Sequence, residues 1–100
     1  MRPAEAQLNV GLFSIGLDTY WPQFPGLRER LAGYTEQVAR KLNLSQVQLT
    51  NLGLIDTPEK SIKAGHEFRR ADVDLIFLYV TTYALSSTVL PAVRRAKVPV

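Results

Sequence analysis

The chain has 100 residues, enough for one small domain and too few for two. Its 46% hydrophobic share argues for a globular chain rather than a disordered one, and the absence of cysteine excludes disulfides and thiolate metal sites, which fits a reducing cytosol. The net charge of +3 comes from basic residues scattered among acidic neighbours, so no nucleic-acid surface is expected, and no apolar run nears the roughly 18 residues of a membrane span.

Residues 8–15, LNVGLFSI, form a short apolar run bounded by Gly16 and are expected to be the first strand rather than a signal peptide. Residues 27–42 follow with Leu27, Leu31, Tyr34, Val38 and Leu42 on one amphipathic helix stripe, ended near Asn43. Residues 47–54, VQLTNLGL, are the second strand. Thr57 then caps a second helix with its hydroxyl, Pro58 takes the first helical position, and Glu59 suits the positive end of the dipole. That helix is expected to run to about Ala71, with Ile62, Gly65 and Phe68 inward.

Residues 73–80, VDLIFLYV, are almost continuously apolar, as in a central strand covered on both faces. A third helix spans residues 86–96, and a cap at Ser87 or Thr88 would put Pro91 in its first turn. Residues 98–100 open a fourth strand. The alternation of strands and helices predicts an α/β fold: a flavodoxin-like three-layer sandwich whose parallel sheet has the order 2-1-3-4. The fourth strand is barely begun, so residues 1–100 are expected to be the N-terminal domain of a longer protein.

In such sheets ligands bind beyond the carboxyl ends of neighbouring strands. The loops after strands one and three should therefore meet. The first is GLDTYWPQFPGL, with Asp18, Thr19, Tyr20, Trp21, Gln23 and Phe24 stiffened by Pro22 and Pro25; the second holds Thr81, Thr82 and Tyr83. The first loop has no glycine-rich phosphate motif, and a phospho-receiver aspartate is missing where Val80 and Thr81 stand. Rings beside Asp, Gln and Thr suit an uncharged polar ligand such as a sugar. The same rings could instead be a hydrophobic plug on the sheet or in an oligomer interface. His66 is expected on a helix surface, and Asp56, Asp72 and Asp74 as caps and turn residues, which leaves no complete catalytic constellation.

VGLFSIGLDTYWPQFPGL together with DLIFLYVTTYALS resembles the N-terminal domain of the L-arabinose/L-fucose isomerase family, most closely its divergent arabinose-isomerase-like bacterial members. The resemblance runs from about Asn9 to Val100. It implies a cytoplasmic homo-oligomer that interconverts aldoses and ketoses with a divalent metal, usually manganese, held by Glu and His residues outside this chain. It also implies that this domain borders the sugar pocket of a neighbouring subunit, with Tyr20, Thr82 and Tyr83 as the best matches. The chain departs in two places: Leu17-Asp18-Thr19-Tyr20 replaces a Gln-His-Leu-Tyr run, and Thr81 replaces a His. The alternative is a sugar-binding or sensing domain without catalysis.

Overall fold

The structure, a computed structural model, describes residues 8–82 and 85–100. The strands are β1 (Leu8–Ile15), β2 (Val47–Ile55) and β3 (Leu75–Val80), and the helices are α1 (Leu27–Leu42), α2 (Pro58–Arg70) and α3 (Ser86–Ala96). The three strands form a parallel sheet of order β2-β1-β3. This is the α/β class, and the three strands stand in the 2-1-3 part of the order expected from the sequence.

β1 is the centre of the molecule. Every residue from Val10 to Ile15 is buried. Successive side chains of a strand point to opposite faces, so β1 must be covered twice. Phe13 packs on Phe68 of α2, with ring centroids 5.8 Å apart. Its neighbour Ser14 meets α1 instead, 2.7 Å from the Thr35 hydroxyl. Thr35 also lies 3.1 Å from the Leu31 carbonyl oxygen, so both buried hydroxyls have partners. Gly11 is small because Phe68 lies over it: a Cβ there would come within 2.7 Å of the ring.

The buried face of α1 is Leu31, Thr35 and Ala39, not the expected stripe through Tyr34. Tyr34 is exposed and Val38 only half-buried. A polar threonine took the inner position because Ser14 offers it a hydrogen bond there. β2 carries a bulge opposite Phe13, so that Asn51 pairs with Leu12 but Leu54 pairs with Ser14. Gly53 supplies the required positive φ of 74°, and its N–H donates to the Asn51 side chain at 2.9 Å. The shift sets Ile55 beside Ile15, in the core cluster.

Thr57 caps α2 as expected, its hydroxyl accepting from the Lys60 N–H at 3.2 Å. Pro91 does not lie in the first turn of α3. The helix starts at Ser86, Leu85 is its cap residue, and Thr88 is buried rather than capping. The proline is tolerated because α2 supplies a partner. The Ser61 hydroxyl accepts from the Ala92 N–H at 2.9 Å, just beyond it.

β3 also departs from expectation. It is shorter, and one face is open: Phe77 is 46% exposed. Residues paired with the Ser14 face of β1 would need α1 to cover them, but α1 packs over β1 and β2. Ahead of β3, the Asp74 carboxylate accepts from the Asn9 N–H at 2.8 Å and so ties the two strand starts together. Beside β3, the Ile76 N–H donates to the Pro99 carbonyl at 2.9 Å. Among the described residues, 98–100 are not a regular strand.

α2 and α3 cross closely at Gly65. A Cβ there would lie 2.9 Å from the Pro91 carbonyl oxygen and 2.7 Å from the Arg95 Cβ. Gly65→Ala thus sets two effects against each other. Alanine gains up to about 1 kcal/mol in helix propensity, whereas crowding backbone costs about 1–3 kcal/mol. Crowding should win, because a carbonyl in a packed helix cannot swing aside. Urea denaturation should show a net loss of about 1–2 kcal/mol; a gain would mean that the helices part freely.

Candidate functional site

The loops after β1 and β3 meet at the carboxyl end of the sheet. Thr81 donates both its N–H and its hydroxyl to the Ile15 carbonyl, at 3.2 and 2.7 Å. The Leu17 N–H donates to the Thr82 hydroxyl at 3.1 Å. Thr81 and Thr82 therefore serve as fasteners between the loops. Tyr83 lies outside the described residues.

The aromatic loop is wound rather than extended. Asp18–Tyr20 form one turn of 3-10 helix, and the Gln23 and Phe24 N–H groups both donate to the Tyr20 carbonyl. Pro22 fixes φ within this turn and Pro25 just after it. Gly26, at φ 82°, then redirects the chain into α1. Tyr20 and Phe24 meet edge to face with centroids 6.1 Å apart, and Phe24 remains 52% exposed. Asp18 and Thr19 are exposed, and the Gln23 amide donates to the Thr19 carbonyl at 3.2 Å. A hollow of about 290 Å³ opens beside Gln23, Phe24, Pro25, Leu27 and Arg30.

Trp21 points elsewhere. Its indole N–H donates to the Asp56 carboxylate at 2.9 Å, and its ring edge would lie 3.0 Å from a Cβ at Gly16. Asp56 is not a simple turn residue, as its position suggested. Its side chain is only 4% exposed and also takes Lys60 Nζ at 2.8 Å and Arg28 Nε at 3.5 Å. Burial alone would raise its pKa. Hydrogen bonds from Lys60 and Trp21, with the charges of Lys60 and Arg28, outweigh that and hold it below the ordinary 3.8. One carboxylate thus joins the aromatic loop, α1 and α2. The sequence carries part of this signal in the i,i+4 spacing of Asp56 and Lys60. Nothing in the chain order points to Trp21, which is 35 residues away.

His66 is exposed on α2. Among the described residues no three His, Asp or Glu side chains come together in a group that could hold a metal, and no helix is long and apolar enough to cross a membrane. Comparison with protein-family models, curated proteins and solved structures finds no match to this chain.

The lowered pKa of Asp56 has a definite sign. Its charged form is favoured by folding, so its contribution to stability is complete above the unfolded value of 3.8 and is lost as pH falls through the lower folded value. Asp56→Asn should cost about 1–2 kcal/mol at neutral pH, since a charge-assisted hydrogen bond is lost beside half-exposed cations. Trp21 is the sole tryptophan, so its emission should move to the red in the variant. Urea melts at pH 7 and pH 3, followed by fluorescence and circular dichroism, check both points. Identical acid sensitivity in wild type and variant would remove Asp56 as its source.

Proposed function

We propose that this chain is the N-terminal, pocket-shaping and oligomerisation domain of a cytoplasmic, metal-dependent aldose–ketose isomerase of the L-arabinose/L-fucose type. The observation that carries the reading is the junction of the loops after β1 and β3 at the carboxyl end of the sheet, through Leu17, Thr82, Thr81 and Ile15. That end is where open α/β sheets bind ligands. The aromatic loop adds what a sugar needs: an exposed ring at Phe24, the amide of Gln23, and a hollow of about 290 Å³ beside them. Asp18, Thr19 and Tyr20 lie on the same turn and offer oxygens to sugar hydroxyls.

In this reading the fold is a flavodoxin-like three-layer sandwich, and residues 98–100 open a fourth strand beside β3. The Ile76–Pro99 hydrogen bond supports that continuation. The manganese of such an enzyme is assigned to residues outside this chain. The work of this domain is to bind, orient and enclose the sugar of a neighbouring subunit. Trp21 supports the loop from behind rather than stacking on the ligand.

The test uses the whole polypeptide that carries this domain, assayed for aldose–ketose interconversion with manganese present. Asp18→Ala and Tyr20→Ala should each lower kcat/KM by about tenfold, or ~1.4 kcal/mol of transition-state binding. Bound metal and oligomeric state should be unchanged. Unchanged turnover in both variants would refute the role given to the loop. Sugar binding by the wild type without any turnover would assign the chain to a binding module instead.

A further inference from the structure

A second concavity lies away from the aromatic hollow, between β2, α2 and the start of α1. Its volume is about 270 Å³. The floor is apolar, with Leu52, Ile55 and Ala64, while Arg28, Lys60 and Lys63 stand in its lining. We propose that this cavity binds a small organic anion, an apolar chain ending in a carboxylate. This inference is independent of the sugar reading.

The charge balance is the first argument. Asp56 offsets one of the three cations, through Lys60 at 2.8 Å and Arg28 at 3.5 Å. The one carboxylate in the lining itself, Glu67, is ion-paired with Arg70 at 2.7 Å. Among the described residues Lys63 makes no ion pair or hydrogen bond. A cationic excess therefore borders an apolar floor. Donors remain in number: an ammonium has three N–H groups and a guanidinium five, and Asp56 engages one nitrogen of each.

Size is the second argument. Typical ligand pockets begin near 300 Å³. A cavity of about 270 Å³ suits a molecule of fewer than about a dozen heavy atoms. A bare inorganic anion would leave the floor uncovered, and a neutral hydrocarbon would ignore the cations. A short-chain carboxylate satisfies both.

The cavity shares Arg28 and Lys60 with Asp56, and Asp56 holds Trp21. An anion that draws on those cations changes the field at the only tryptophan. The test is calorimetric titration of the chain with hexanoate at fixed ionic strength, with Trp21 emission recorded in parallel. Hexanoate should give saturable heat, while acetate and inorganic phosphate bind about tenfold more weakly or worse, because each buried methylene adds its share. Chloride should give no saturation. Lys63→Gln should weaken hexanoate by about twofold to fivefold, as expected for one exposed charge. Lys41→Gln, at the far end of α1, should leave it unchanged. Absence of saturable heat, acetate or phosphate as strong as hexanoate, or full affinity in Lys63→Gln would each overturn the proposal.

Discussion

The double burial of β1 is the constraint from which the rest follows. A strand buried from Val10 to Ile15 on both faces cannot be an edge, so it needs strand neighbours on both sides and helices above and below. Parallel neighbours in turn need long crossovers, and α1 and α2 are those crossovers. The alternation Phe13-Ser14 then assigns each helix its partner: Phe68 to the ring, Thr35 to the hydroxyl. Gly11 and Gly65 mark where backbones or rings come closest within this arrangement. The same geometry brings the carboxyl ends of β1 and β3 together, which is why Leu17 and Thr82 can touch across 65 positions of sequence.

Asp56 is a second organising point and is subordinate to the first. It follows Ile55, which the bulge at Gly53 sets opposite Ile15. A carboxylate placed at the rim of the core needs compensation, and three elements supply it. Trp21 comes from the aromatic loop, Arg28 from the first turn of α1, and Lys60 from the first turn of α2. Removing the carboxylate group altogether would leave two cations and an indole N–H without their acceptor. The loop is consequently fastened twice, by Asp56 through Trp21 and by Thr82 through Leu17.

Much of the fold was legible in the sequence because its signals are local. The helix of residues 27–42, the Thr57–Pro58 helix start and the alternation of strand and helix all depend on neighbours within a few residues. The errors share one cause. Thr35 displaced Tyr34 from the inner face because Ser14, 21 positions away, offered it a bond. Pro91 sits within α3 because Ser61, 31 positions away, serves the next N–H. Phe77 is exposed because α1 covers the other side of the sheet centre. At the candidate site, the meeting of the two loops followed from strand order alone. The turning of Trp21 toward Asp56 did not, since it depends on a side-chain direction and a buried charge that no local pattern encodes.

The composition of the aromatic loop is explained by dividing its rings. Trp21 faces the protein and is held by a charged acceptor, so it fixes the position of the loop. Tyr20 and Phe24 pack on one another, and Phe24 keeps half of its surface in solvent. A ring left exposed by a mobile loop would gain little from any contact, because ordering the loop would consume the gain. Here the ordering is complete before contact: two prolines fix φ, and the Tyr20 carbonyl receives two N–H groups. Prepaid order of this kind lowers the ordering cost of any contact the loop makes.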